Sequence, residues 1–173
     1  PLSFVFALVL VSQGAIQNLR GYTASTPIDA SATYTDADGN VAPFTEQLIP
    51  GGPIASQEAI KQIGTNGGGP LNANSAHPFE NPNGLTNFLA IWAMLAIPFA
   101  LPFTLGAMAK DRRQGWTVFG AMFAVWFAAS LVAMGMESTG NPRLTVAGAD
   151  QSISVDQGGG NLEGKEVRFG VAN

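Results

Sequence analysis

Residues 64–69 read Gly-Thr-Asn-Gly-Gly-Gly, and this run with three consecutive glycines decides how the rest of the chain is organised. Glycine has no Cβ atom, so it adopts positive φ angles that other residues avoid and lets backbone groups come close to a ligand. A polar backbone loop of this kind has two uses in proteins. Its N–H groups cradle a phosphate, or its C=O groups coordinate a cation.

A phosphate-binding P-loop has a different sequence around its glycines. It needs a glycine, four residues and then Gly-Lys-Ser or Gly-Lys-Thr, and it opens a helix that follows a strand. Here a short helical run precedes the glycines and Pro70 follows them directly, with no Lys-Ser or Lys-Thr pair. The residues therefore favour cation binding, and a plain flexible glycine turn stays open as the alternative.

The composition is typical of a membrane protein with polar loops. Charged residues make up 12% of the 173 residues, about half the share in an average globular protein. The net charge of −4 has the wrong sign for a nucleic-acid partner, and the sequence has no cysteine for a disulfide or a thiolate metal site. The chain starts at Pro1 inside an apolar run and ends at Asn173, so we expect a piece of a longer protein.

Two uncharged segments, 87–109 and 116–136, are long enough to cross a bilayer as transmembrane helices. Pro98 and Pro102 predict a kinked or partly unwound middle in the first segment, which membrane helices tolerate. Residues 110–115 join the two segments and carry three cations, so the positive-inside rule predicts a cytoplasmic loop.

The flanking segments are then predicted to lie outside the cytoplasm. Residues 1–12 are apolar but too short to span, and we interpret them as the end of a truncated transmembrane helix, with a signal-peptide remnant as the open alternative. Residues 13–55 form an extracytoplasmic loop with a turn at 36–40. Residues 137–173 form a second extracytoplasmic segment.

Residues 56–82 are predicted to form a pore helix followed by a glycine-rich filter loop. Residues 57–63 read as a short helix with Ser56 as N-cap and Gly64 as C′ residue. At about 12 Å this helix can only re-enter a bilayer partway. Its C-terminal end would turn partial negative charge towards a cation, whose water shell the loop carbonyls would replace. No carboxylate lies between Gly64 and Pro78.

Several long motifs resemble the KdpA family, the potassium-binding A chains of Kdp potassium-transporting ATPases. They occur in the family's order at residues 52–61, 64–69, 72–82, 111–115, 140–142 and 164–170. The resemblance implies a membrane all-α fold of helix–re-entrant pore loop–helix repeats with long irregular outer loops, as in the potassium-channel-like superfamily. Of the four repeats that it implies for the full subunit, this chain would hold the second and the start of the third. Residues 137–173 would lead to the missing third pore loop.

The resemblance also implies where potassium binds. The family's filter segment maps onto Thr65, Asn66, Gly67 and Gly68, with Gly67 as the central filter glycine and K+ bound by backbone oxygens only. The expected supports of this filter are Gly64, Gly69, Asn72 and Asn74, and Glu80 and Asn81 are expected to brace the loop. The family usually has two aromatic residues where this chain has Pro70-Leu71, so we expect a different packing behind the filter.

The implied function is potassium binding and translocation in an ATP-driven importer of the bacterial inner membrane. The chain would be multi-pass, would contact membrane lipid and would expose its glycine loop on the extracytoplasmic side. A P-type ATPase catalytic subunit on another chain would hydrolyse ATP, with small accessory subunits in the same complex. This chain would carry K+ as the transported ion, with no cofactor and no catalytic residue. Two alternatives stay open: a passive Trk/Ktr-like cation pore, and a non-transport membrane protein with a ligand-binding outer loop.

Overall fold

The computed structural model describes residues 1–29, 31–35, 38–148, 151–152 and 164–170. The helices in these ranges are α1 (Leu2–Ser12), α2 (Ile54–Ile63), α3 (Gly84–Met108), α4 (Arg112–Thr139), α5 (Pro142–Val146) and α6 (Lys165–Phe169). The strands are β1 (Thr23–Ser25), β2 (Thr33–Thr35), β3 (Val41–Pro43) and β4 (Gln47–Ile49). Much of the predicted segment 137–173 therefore lies outside the described residues.

Helices α3 and α4 are long and apolar enough to cross a membrane, and the most apolar stretch of each has a mean hydropathy of 2.0. α3 begins at Gly84, earlier than predicted, because Asn83 and Thr86 form a reciprocal capping box. It continues as a helix through Pro98 and Pro102, so the partly unwound alternative is wrong, and a kink at the prolines stays a prediction. An interior proline removes one helix hydrogen bond and its ring crowds the preceding turn, but membrane helices tolerate it because neighbouring groups satisfy the freed backbone.

The turn between α3 and α4 is tighter than the predicted loop 110–115. Lys110 takes a left-handed conformation with φ +54°, and the N–H of Asp111 bonds back to the Gly106 carbonyl at 3.0 Å. This bond is that of a Schellman turn at the end of α3. Asp111 also caps α4, since its side chain accepts a bond of 2.9 Å from the Arg113 N–H. The rest of the predicted loop is therefore helical.

Two glycines let α3 and α4 approach closely beside this turn. A Cβ atom built on Gly115 would lie 2.9 Å from the Pro102 carbonyl oxygen, and one on Gly106 would lie 3.0 Å from the Gly115 Cα atom. Small residues are typical of membrane helix contacts, because they bring two backbones into van der Waals contact. Elsewhere in the pair, the rings of Phe99 and Trp126 pack edge to face with centroids 5.7 Å apart.

The outer region between α1 and α2 contains two short antiparallel ribbons, so the prediction of irregular outer loops is wrong in this region, while α3 and α4 fit the predicted membrane helical protein. β1 pairs with β4, with Thr23 opposite Ile49, and β2 pairs with β3 within the intervening segment. Threonine, tyrosine and aliphatic residues favour such short strands. Gly39 lies between β2 and β3 with φ +85°. Residues 36 and 37 of the turn predicted at 36–40 lie outside the described ranges.

Helices α1 and α2 pack on each other through a small apolar cluster of Leu10, Ala15, Ala55 and Ala59. The segment after α1 is fixed by backbone bonds on both sides. Ile16 accepts a bond of 2.8 Å from the Ala55 N–H, and its own N–H donates to the Phe79 carbonyl at 3.1 Å. This segment therefore joins α2 to the loop that precedes α3.

Helix α2 begins at Ile54, directly after Pro53, so the prediction of Ser56 as its N-cap is wrong. Ser56 lies in the first turn instead. Its N–H donates to the Gln17 side-chain oxygen at 3.0 Å, and the Gln17 amide donates to the Ser56 hydroxyl at 3.2 Å. A side chain 39 residues away therefore satisfies an N–H group that the helix itself leaves unpaired.

We expect Gly115→Ala to destabilise the α3–α4 pair, because the new methyl group would collide with a backbone oxygen. Over-packing of this kind costs roughly 1–3 kcal/mol. The thermal unfolding midpoint of the full-length protein in detergent should fall accordingly. Gly120→Ala in the same helix is the matched control, since a Cβ atom there meets nothing within 4 Å and alanine is the better helix former. Equal midpoints for the two variants would contradict the close approach.

Candidate functional site

The end of α2 leads into the glycine loop through a left-handed residue. Gly64 caps the helix with φ −78°, and Thr65 takes the left-handed conformation with φ +52°. The prediction of Gly64 as the C′ residue is therefore wrong by one position. Glycine is still favoured at position 64, because a Cβ atom there would lie 2.8 Å from the Ile60 carbonyl oxygen.

All three consecutive glycines have positive φ angles: +64° at Gly67, +77° at Gly68 and +128° at Gly69. A Cβ atom on Gly67 or Gly68 would meet nothing within 4 Å. The backbone conformation, rather than crowding, therefore favours glycine at these two positions. Gly69 differs, because a Cβ atom there would lie 3.1 Å from the Lys61 ammonium nitrogen.

The backbone oxygens of the loop have no hydrogen-bond donor among the described residues. No hydrogen bond between described residues ends on the carbonyl oxygen of Thr65, Asn66, Gly67 or Gly68, and all four residues are exposed. A backbone carbonyl needs a partner from protein, water or an ion. Backbone carbonyls without a protein donor, in four consecutive exposed residues, are groups of the type that can replace the water shell of a monovalent cation. Within the described ranges, no group of three His, Cys, Asp or Glu side chains is placed to hold a metal ion.

Five of the eight predicted filter and support residues line two spaces beside the loop, whereas Gly64, Gly68 and Asn72 line neither space. Thr65, Gly67 and Asn74 line a cavity of about 430 Å³. Asn66, Gly67 and Gly69 line a groove of about 350 Å³. Gly67 borders both spaces, so it occupies the central position among the predicted site residues.

Asn72 shapes the chain that follows the loop. Its side-chain oxygen accepts the N–H groups of Asn74 at 2.7 Å and Ala76 at 3.3 Å, which is an Asx-type turn. Asn74 is itself exposed and takes part in this turn through its backbone donor. Of the two predicted asparagine supports, Asn72 is therefore the one whose side chain fixes the backbone.

A buried ion cluster adjoins the loop. The Lys61 ammonium pairs with Glu58 at 2.6 Å and with Glu80 at 3.3 Å, and the three side chains are 4%, 2% and 0% exposed. The same ammonium donates to the Asn72 carbonyl at 2.9 Å. Burial raises the pKa of the Glu80 carboxyl, and the Lys61 charge opposes that rise. Because Lys61 also lies against Gly69, this cluster connects the loop to the protein interior.

A network of uncharged side chains extends from the ion cluster to α3. The Gln62 amide donates to Glu58 at 2.7 Å and to the Ser75 hydroxyl at 2.6 Å. Asn81 donates to the Ser75 carbonyl at 3.0 Å and accepts a bond of 2.7 Å from the Thr86 hydroxyl. The network thus ties α2, the loop and the first turn of α3 together. The prediction that Asn81 braces the loop is confirmed by these contacts.

The sequence analysis did not predict most of this network, and the spacing of residues along the chain indicates only part of it. Glu58 and Lys61 stand three positions apart in one helix, a spacing that places them on the same face. No local pattern joins Lys61 to Glu80, which lies 19 residues further along, or Gln62 to Ser75. These pairs form because the loop folds back over α2.

We expect Lys61→Met to destabilise the protein strongly, because it leaves two buried carboxylates without this counter-charge. Breaking a buried ion pair by removing one partner costs roughly 3–5 kcal/mol. The thermal unfolding midpoint of the full-length protein should drop well below that of the wild type. The double variant Lys61→Met with Glu80→Gln should recover part of the loss, since it removes one of the stranded charges.

Lys110→Met is the control for the loss of a lysine, since Lys110 is exposed at the α3–α4 turn. Surface substitutions of this kind change stability by about 0.5 kcal/mol or less. Similar midpoints for Lys61→Met and Lys110→Met would show that the buried cluster contributes nothing to the fold.

The chain matches a known family along its full length. The KdpA family, described as the potassium-transporting ATPase A subunit, matches residues 1–173. A protein of Mycobacterium tuberculosis (strain ATCC 25618 / H37Rv) is 56% identical over 171 residues, which cover 99% of this chain and 28% of that protein. A protein of Sorangium cellulosum (strain So ce56) is 49% identical over 173 residues, which cover 100% of this chain and 29% of that protein.

Both relatives carry the name potassium-transporting ATPase potassium-binding subunit. The chain spans about 28% of the length of the curated relatives that it matches. Its two long apolar helices fit a membrane protein. Because the family match covers every residue and the relatives cover nearly all of the chain at 49% and 56% identity, the chain belongs to the KdpA family.

Proposed function

We propose that the chain is part of a potassium-binding and translocating subunit of an ATP-driven potassium importer. In this proposal the carbonyl oxygens of Thr65, Asn66, Gly67 and Gly68 select K+. The observation that carries it is that these four consecutive residues are exposed and that their carbonyls accept no hydrogen bond from described residues. The names of the relatives agree with this role.

The charges around the loop support a cation rather than an anion as ligand. The ten-residue helix α2 directs its C-terminal end, with partial negative charge, into the loop at Gly64. The nearby Lys61 ammonium is neutralised by Glu58 and Glu80, so it does not repel a second cation from the loop. Carbonyl ligands suit transport, because they bind an ion firmly enough to admit it and weakly enough to release it.

The proposed membrane placement follows from the lengths of the helices. α3 crosses the bacterial inner membrane together with α4, and the cationic turn between them, which contains Lys110, faces the cytoplasm. α2 spans about 15 Å at 1.5 Å per residue, so it enters the membrane only partway, surrounded by protein. The glycine loop then faces the extracytoplasmic side, and the multi-pass subunit contacts lipid along α3 and α4.

ATP hydrolysis in this proposal takes place on a separate P-type ATPase catalytic subunit, with small accessory subunits completing the complex. The present chain binds K+ as cargo and needs no cofactor. The names of the relatives support an association with an ATPase. Further pore-loop repeats would surround the ion, since one loop offers oxygens from one side only.

We expect Gly67→Ala to weaken potassium binding, because alanine at a φ of +64° costs roughly 1–2 kcal/mol. If this strain shifts the loop carbonyls, the potassium concentration for half-maximal activity should rise about tenfold. Discrimination among potassium, rubidium and ammonium should also change. The measurement is ion-stimulated ATP hydrolysis by the full-length, assembled complex.

Gly39→Ala is the matched control, since Gly39 also has positive φ (+85°) and open space but lies in the outer hairpin. It should leave the ion dependence unchanged. Unchanged ion dependence in an assembled Gly67→Ala complex would make the glycine loop a plain turn and end the proposal. Potassium uptake that proceeds without ATP would favour the passive Trk/Ktr-like pore instead.

A further inference from the structure

Helix α6 contacts the loop that follows the glycines, although the two are far apart in sequence. The Arg168 guanidinium donates to the Ala76 carbonyl at 2.6 Å and to the Pro82 carbonyl at 3.3 Å, across 92 and 86 residues. Gly164, just before α6, lies so close that a Cβ atom there would be 3.2 Å from the Ala76 methyl group. One short helix thus touches both ends of the segment 76–82.

The guanidinium is suited to this bridge by its shape. Its planar fork of donors has a fixed geometry, so two carbonyls bound to one Arg168 are held at a fixed separation. Asn81, which belongs to this segment, donates its side-chain amide to the carbonyl of Ser75, just before the segment, at 3.0 Å. The segment is therefore held from two sides, once by its own side chain and once by α6.

A second side chain of α6 reaches the ion cluster. Lys165 is buried, with 8% of its surface exposed, and lines the same cavity as Lys61 and Thr65. Burial lowers the pKa of the Lys165 ammonium, and the negative charge of Glu58 is the largest influence that opposes this change. Lys165 thus adds a second buried lysine beside the ion cluster, and Glu166 of α6 lines the same cavity.

The segment that Arg168 contacts is connected to the glycine loop through Lys61. The segment 72–82 supplies the Asn72 carbonyl and the Glu80 carboxylate that hold the Lys61 ammonium. That ammonium lies against Gly69, the last glycine of the loop. A displacement of segment 72–82 would therefore move Lys61 and the end of the loop with it.

We infer that α6 is a brace for the glycine loop and that Arg168 is a positioning residue for potassium selection. Arg168 does not touch the ion; it sets the position of segment 76–82, which in turn sets the position of Lys61 and Gly69. This inference rests on the proposed function, because it concerns how the same carbonyls are kept in place. By this inference α6, which follows α4 in the chain, contributes to the ion selectivity of the glycine loop, which precedes α3.

The test compares Arg168→Met and Arg168→Lys in the full-length, assembled complex. Methionine removes both bonds, and lysine keeps the charge but lacks the fork that bridges two carbonyls. We expect Arg168→Met to raise the potassium concentration for half-maximal ATP hydrolysis about tenfold, and Arg168→Lys to give a smaller rise. Rubidium should gain relative to potassium in both variants, while the maximal rate at saturating potassium stays near that of the wild type.

Arg143→Met is the matched control, because Arg143 is an exposed arginine of the neighbouring short helix α5. It should leave half-saturation and ion discrimination unchanged. A general loss of stability would lower the maximal rate or the yield of complex without changing discrimination between ions. The ratio of rubidium to potassium half-saturation therefore separates positioning from a merely structural role.

Gly67→Ala measured in parallel separates this inference from the proposed function. If Gly67→Ala alters ion dependence and the Arg168 variants do not, the brace is overturned and the filter stands. If none of the variants alters ion dependence, the filter itself fails and the brace fails with it. If both Arg168 variants fail to assemble, or change the maximal rate alone, Arg168 serves folding and the inference is overturned.

Discussion

The buried ammonium of Lys61 is the interaction on which the rest of the site depends. An ion in the interior is stable only where opposite charges and hydrogen-bond acceptors surround it. Here Glu58 comes from the same helix, Glu80 from the following loop, and Asn72 supplies a carbonyl. All of these groups must converge on one nitrogen, so the loop is obliged to fold back over α2.

This constraint explains how an unusual backbone persists beside it. Thr65, Gly67 and Gly68 all have positive φ, and their carbonyls accept no hydrogen bond from the described residues. Such a segment has little to stabilise it locally, and left-handed conformations cost free energy for any residue with a Cβ atom. The Lys61 ion cluster and the network through Ser75 fix the chain on either side of this segment, which offsets its lack of local hydrogen bonds.

The chain combines two kinds of interior that obey different rules. Around α2 the interior contains buried polar groups, most of which have a named partner within the described part of the chain, beside the small apolar cluster shared with α1. Between α3 and α4 the contact is apolar and depends on the absence of side chains at Gly106 and Gly115. A membrane offers no hydrophobic drive for such helices to associate, so close packing has to supply the attraction. The Thr86 hydroxyl, in the first turn of α3, connects the polar network to this helix pair.

The sequence alone determined what depends on local composition and periodicity: two apolar segments that are long enough to span a membrane, and a glycine run that needs positive φ. It did not determine pairs that form across the chain. At the start of α2 the Gln17 side chain, and not the predicted cap Ser56, accepts a backbone N–H bond. Glu80 pairs with Lys61 only because the fold brings the two side chains together. The outer loop that the family resemblance implied to be irregular contains strands, because strand pairing depends on a distant partner. Tertiary structure decided these features, since side chains 19 to 92 residues apart meet only after the backbone has folded.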